Sequence, residues 1–192
     1  MNTRRITRRD ALKAFSAGAV VSSLSACATM GQKNIGRVVV VGAGYGGATA
    51  AKYVRLWCEG AGGGRLVEQN EAFVSCPISN LVLGGSKTLA DITVSYAGLD
   101  KHGVKRVRDT VSAIDVDKKQ VRLASGAVLS YDRLVVSPGV EFMYDRLQGW
   151  SSAGEASVLH AWKAGPQTVA LRRQLTDMKD GGVVVMSIPL AP

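Results

Sequence analysis

Four consecutive valines, Val38 to Val41, run without a break into Gly42-Ala43-Gly44-Tyr45-Gly46-Gly47. Nothing else in the chain restricts its fold as much. A short, uniform run of β-branched apolar residues needs both faces covered, as in the middle of a parallel sheet. The glycines at 42, 44 and 47 spell G-x-G-x-x-G, and the residues from Ala48 to Trp57 favour helix. Strand, glycine turn and helix in that order form the context in which this spacing marks a dinucleotide site. The first glycine permits the tight turn, the second lets backbone close on a pyrophosphate, and the third lets helix pack on strand. The helix start then offers unpaired N–H groups and a partial positive charge to the phosphates.

The 192 residues suffice for one domain with a proper core and part of another, and 46% hydrophobic with 20% charged residues is ordinary for an α/β protein. The formal charge of +9 points to nucleic acid only until its distribution is read. Arg4, Arg5, Arg8, Arg9 and Lys13 against Asp10 place +4 of it in the first 31 residues. The remainder is scattered, with no basic stripe interleaved with aromatics, so no nucleic-acid partner is expected. A mildly basic surface suits an acidic protein partner.

Residues 1–30 read as a targeting segment. Thr7-Arg8-Arg9-Asp10-Ala11-Leu12-Lys13 resembles the twin-arginine export motif, and Ala14 to Met30 carries no charge and many small residues. The run is too short and too weakly apolar for a membrane span. Cleavage fits after Ala26-Cys27-Ala28, while Leu24-Ser25-Ala26-Cys27 resembles a lipobox that would make Cys27 a lipidated N-terminus. Both outcomes stand. The expected location is the periplasm, with membrane contact only through a lipidated Cys27.

Beyond the first helix, Gly60 to Gly64 is glycine-rich and leads into Arg65-Leu66-Val67-Glu68. Glu68 lies 24 residues after Gly44, close to the spacing at which an acid closing the second strand takes ribose hydroxyls. A carboxylate there disfavours a 2′-phosphate, so the ligand is adenosine-type and not NADP-type. Residues 107–136 alternate apolar and polar around turns at Lys118-Lys119 and Ser125-Gly126, which predicts a meander of short antiparallel strands laid on the main sheet. The run Tyr131 to Gly139 reads as another buried strand entering a turn made of Pro and Gly, Ser137-Pro138-Gly139. A helix is predicted from Pro166, with Thr168, Leu171, Leu175 and Met178 on one buried face and a stop at Gly181-Gly182. Val183 to Met186 reads as the start of a new buried strand. Ser187 to Pro192 follows it without a glycine to admit a pyrophosphate.

Four stretches together resemble the flavoprotein subunit of flavocytochrome c sulfide dehydrogenase: VVVVGAGYGGATAAKY, SCPISNLVLGG around Cys76, YDRLVVSPGV and HAWKAGPQTVALRRQL. The likeness runs from about Arg37 to Pro192. That family belongs to the glutathione-reductase-like flavoproteins with two dinucleotide folds. The resemblance implies an α/β chain with a Rossmann-like FAD-binding domain and its β-meander at 35–145, and the start of a second, non-NAD-binding Rossmann-like domain at 146–192. It implies FAD as cofactor, sulfide as substrate and a c-type cytochrome subunit as electron acceptor. Carried over by residue, Gly42, Gly44 and Gly47 would hold the FAD pyrophosphate and Glu68 the adenosine ribose. Val111 would face the adenine through its backbone, and Gly139 would belong to the turn that closes on the flavin nucleotide. Cys76 matches the cysteine that bonds the flavin 8α-methyl carbon as a thioether. By residue type alone it reads as a buried inert thiol.

Cys58 reads as a structural thiol, and a Cys58–Cys76 disulfide has no spacing argument behind it. His102 reads as a solvated loop histidine, and His160 and Trp162 as packing residues. No metal site is expected. No catalytic residue is assigned, because the family's redox cysteine pair would lie beyond Pro192. The chain is therefore expected to be an N-terminal fragment that is inactive alone. Competing readings are a sulfide:quinone oxidoreductase or NADH dehydrogenase of the same fold, or a non-catalytic fragment. The glycine-free segment after Met186 counts against NADH.

Overall fold

In a computed structural model, which describes residues 36–58, 63–144, 149, 154 and 157–186, the valine run becomes β1 (Arg37–Val41) and the segment after the glycine turn becomes α1 (Tyr45–Trp57). There follow β2 (Gly63–Val67), β3 (Ala72–Val74), α2 (Ser79–Leu83), a 3₁₀ turn (Ala90–Ile92), β4 (Thr93–Ser95), α3 (Ala97–Lys101) and β5 (Lys105–Val107). Then come β6 (Val111–Asp115), β7 (Gln120–Leu123), β8 (Val128–Ser130), β9 (Arg133–Val136) and α4 (Pro166–Asp177). The export segment at 1–30 and the stretch 187–192 lie outside the described residues.

The main sheet has the order β5-β2-β1-β9, and every pairing in it is parallel. This is the parallel, Rossmann-like arrangement that the glycine fingerprint predicts. Its centre shows why four valines are needed. Val39 and Val41 face a cluster built with Val67 and the meander residues Val121, Leu123, Leu129 and Tyr131. Val40, one step out of phase, enters a second cluster with Leu66, Ala51 of α1, Tyr96 and Val104, against which Val38 packs. Successive side chains of a strand point to opposite faces, so a strand with an apolar layer on each side must be apolar throughout.

The meander is as the turns at Lys118-Lys119 and Ser125-Gly126 predict: β6, β7 and β8 form an antiparallel sheet in that order. Lys119 has φ of 51° and Gly126 φ of 89°, so both turns use left-handed backbone.

Three expectations are corrected. β9 forms, but it is not fully buried: Leu134 and Val135 are half-buried and Val136 is exposed, because β9 is an edge strand with one described neighbour. The helix from Pro166 ends at Asp177 rather than at the glycines, and of its expected buried face only Thr168 is fully covered, with Leu175 and Met178 exposed. Val183 to Met186 is neither strand nor buried, since Val183 is 84% and Val185 86% exposed. An extended apolar run becomes a strand only when a neighbouring strand takes its N–H and C=O groups. No described strand lies beside this one. The described residues at 157–186 contribute one helix, α4.

Candidate functional site: the carboxyl ends of the parallel strands

Four connections leave the carboxyl edge of the main sheet: Gly42–Gly44 after β1, Glu68–Asn70 after β2, Arg108–Thr110 after β5 and Ser137–Gly139 after β9. Ligands of open α/β sheets bind at this edge. The ladder bonds continue into it, with the Gly42 N–H donating to the Val67 carbonyl at 2.8 Å, Glu68 to Val107 at 3.0 Å and Ser137 to Val41 at 2.8 Å. The turn is thus an extension of the rigid sheet.

The three fingerprint glycines do different work. Gly42 has φ of +86°, and a Cβ on it would overlap the Ser137 carbonyl oxygen. A Cβ on Gly47 would overlap the Gly42 carbonyl, the close approach of helix to strand expected of the third glycine. Gly44 is not required by the protein itself, since a Cβ there would meet only the Phe73 ring at 3.9 Å. A missing side chain that the fold does not need leaves open backbone at the mouth of the turn. That open space has room for a pyrophosphate, beneath the N–H groups of Tyr45, Gly46 and Gly47, which have no intrahelical acceptor. The site therefore fits a dinucleotide.

Glu68 sits against this turn. Its Oε2 accepts the Ala43 N–H at 2.8 Å, and its Oε1 accepts both the backbone N–H and the side-chain amide of Asn70 at 2.8 Å. The connection after β5 is tied in through the Thr110 hydroxyl, which donates to the Gln69 side-chain Oε1 at 3.2 Å. Val111 follows at the head of β6 with its side chain against the meander core, so backbone is what it can offer a ligand. Gly139 has φ of +84° and open space around it.

Cys76 follows β3, and a bond the sequence does not advertise ties its neighbour to the turn. The hydroxyls of Tyr45 and Ser75 lie 2.6 Å apart, and the Tyr45 ring meets Phe73 edge-on with centroids 4.8 Å apart. Cys76 is exposed, not buried, and its thiol donates to the Trp162 carbonyl at 2.7 Å. Both Cys58 and Cys76 are free thiols, so no disulfide joins them. Trp162 offers its backbone here while its side chain is 74% exposed, which corrects the packing role expected for it. His160 does pack, its ring 4.4 Å from that of Phe142. His102 is exposed at the end of α3.

Sequence reasoning also misses the wall beside the turn. An open cavity of about 370 Å³ runs along α1 from Gly44 and Tyr45 past Thr49 and Lys52, with Phe73 and Tyr96 opposite. Tyr96 is buried, which together with the nearby Glu68 charge pushes its hydroxyl up to about 12, so it stays neutral. Arg106 covers the Tyr96 ring at 5.4 Å and pairs with Asp100 at 2.9 Å. That pairing holds the Asp100 carboxyl below its usual range. Among the described residues no group of three or more metal-ligating side chains occurs, and no helix is long and apolar enough to cross a membrane.

Comparison with known proteins agrees with this architecture. Residues 36–181 match the family model of the pyridine nucleotide-disulphide oxidoreductases. The chain is 32% identical over 133 residues to the mitochondrial sulfide:quinone oxidoreductase of Mus musculus, covering 69% of this chain and 29% of that protein. A stretch of 46 residues, 24% of this chain, is 54% identical to the flavoprotein chain of sulfide dehydrogenase (flavocytochrome c) from Chlorobaculum thiosulfatiphilum and covers 94% of that sequence. The solved sulfide:quinone oxidoreductase of Aquifex aeolicus shares the fold, with a TM-score of 0.61 at 24% identity over 73% of this chain and 32% of that one. The chain spans about a third of the length of the curated sulfide:quinone oxidoreductases it matches, 35% of one and 29% of the other.

Proposed function

This chain belongs to the pyridine nucleotide-disulphide oxidoreductase family, and from that premise we propose that it is the FAD-binding part of a sulfide-oxidising flavoenzyme. In this reading a c-type cytochrome takes the electrons, and the protein reaches the periplasm by twin-arginine export. The observation that carries the reading is the joining of the glycine turn to the Cys76 segment through Tyr45 and Ser75. One surface then offers both a pyrophosphate cradle and an exposed thiol.

Bound there, FAD would supply two-electron acceptance from sulfide and one-electron release to a haem. The chain's own residues bind and orient it. Gly42, Gly44 and Gly47 shape the cradle, and the α1 N–H groups face the phosphates. Glu68 takes the adenosine ribose, and backbone at Val111 and Gly139 closes on the two ends. Cys76 would hold the flavin through a thioether to its 8α carbon, the thiol hydrogen and one 8α hydrogen passing to the flavin ring, which is left two-electron reduced. A covalent tether suits a protein exported after loading, because it prevents loss of the cofactor outside the cell.

Intact-mass spectrometry of the denatured protein, beside a Cys76→Ala variant, tests this. One FAD of added mass in the parent and none in the variant is expected. An unmodified parent that still copurifies with flavin would remove the tether, and one without flavin would remove the cofactor reading. A second reading, a sulfide:quinone oxidoreductase, is favoured by the longer alignment to those enzymes. Sulfide-dependent reduction of a quinone and not of cytochrome c by the full-length protein would select it.

A further inference from the structure

Glu68 is held more completely than ribose binding alone requires. Its Oε2 accepts from the Ala43 N–H, and its Oε1 accepts from the N–H and from the Nδ2 group of Asn70, all at 2.8 Å. A carboxylate has about four acceptor positions, two on each oxygen. The chain fills both on Oε1 and one on Oε2. The position left belongs to the oxygen that faces the glycine turn. An amide beside a carboxylate must also present its NH2 side, since the carboxylate only accepts, which fixes the Asn70 orientation.

We infer that Asn70 is a positioning residue: by occupying Oε1 it leaves Glu68 to accept from one ribose hydroxyl of the bound dinucleotide, not two. The inference rests on the proposal that Glu68 meets the adenosine ribose. Three anchoring bonds fix the carboxylate before the ligand arrives, so little side-chain freedom is lost on binding. Selectivity falls on one hydroxyl because that hydroxyl alone finds an open lone pair, and its removal leaves a half-buried acceptor unmatched.

The test uses the full-length protein with Cys76→Ala, prepared without flavin so that binding is reversible. FAD is titrated beside two analogues lacking either the 2′- or the 3′-hydroxyl of the adenosine ribose. One analogue is expected to bind about tenfold or more weakly than FAD and the other within about twofold. Adding Asn70→Ala frees one position on Oε1, and the difference between the two analogues is expected to shrink to about twofold or less. The melting temperature without nucleotide is expected to stay where it was. Asn70→Leu has nearly the same shape without a donor or a charge and is expected to give the same result, which covers failure of the alanine variant to fold. Equal losses for both analogues in the parent, or a difference that survives both substitutions, would overturn the inference. Failure of FAD itself to bind would overturn the ribose assignment beneath it, which is a separate and recognisable result.

Discussion

The hydroxyl groups of Tyr45 and Ser75 lie 2.6 Å apart, so the first residue of α1 holds the residue that precedes Cys76. The two ends of this bond are not equivalent. Ser75 is 4% exposed, while Tyr45 is 59% exposed and can turn its hydroxyl to water.

Removing the partner of the buried hydroxyl should therefore cost more than removing the hydroxyl itself. Tyr45→Phe is expected to lower stability by about 1–2 kcal/mol, and Ser75→Ala by less than about 1 kcal/mol, because only the first strands a buried polar group. Urea unfolding of both variants measures the order, and the reverse order would mean that Ser75 has a second partner.

Gly42 and Gly44 should respond in opposite ways to an added methyl group. Gly42→Ala combines left-handed backbone with a collision against the Ser137 carbonyl and is expected to cost about 3 kcal/mol or more. Gly44→Ala meets only the Phe73 ring at 3.9 Å and is expected to stay within about 1 kcal/mol of the parent. Its effect should appear instead as poorer loading, a lower flavin content in the purified protein. Thermal unfolding and the flavin absorbance ratio separate the two.

Acid should loosen the seam between β1 and β9. Asp132 accepts the Arg37 N–H at 2.6 Å and pairs with its guanidinium at 3.3 Å, contacts that hold the carboxyl below its usual range. A depressed folded value means that the contribution is present above the ordinary carboxylate pKa of about 4 and fades as pH falls through the lower, folded value. The Tm difference between parent and Asp132→Asn is expected to be constant from neutral pH down to about pH 5 and to close below it. A difference that persists unchanged at pH 2 would show that the backbone bond, not the charge, dominates.

The α4 helix hangs on Arg172, whose guanidinium donates to the Leu83 carbonyl at 3.1 Å at the end of α2. The space it uses is open because residue 85 is glycine: a Cβ there would run into that guanidinium. Arg172→Ala is expected to raise amide exchange in residues 166–177 by about tenfold or more while leaving the β1 amides unchanged. Equal acceleration in both would mean that α4 unfolds only with the whole domain.

What the sequence made legible was local chemistry repeated in a known spacing. The valine run, the glycine turn and the meander turns each carry their own conformational reason, and the structure forms all of them accordingly, with Glu68 at the end of β2. The misses come from partners. Val183 to Met186 has the composition of a strand, but strand formation depends on a neighbour that residue type does not encode. The exposure of Cys76 depends on what covers it, and a lone thiol in a sequence carries no such information. The crossover from β2 to β5 holds Tyr96 and the Asn70 contacts and passed unread, because its short elements owe their form to α1 and the sheet rather than to propensity.

The back wall of the glycine turn is the Ser137 carbonyl, contributed 95 positions further along the chain than Gly42. On a ribosome the helix start and its glycines emerge early, yet the turn lacks this wall until β9 has been made and has reached β1. Cofactor loading at this turn consequently waits for β9. If the turn holds flavin as proposed, retained flavin in a preparation counts the molecules in which β1 and β9 have met.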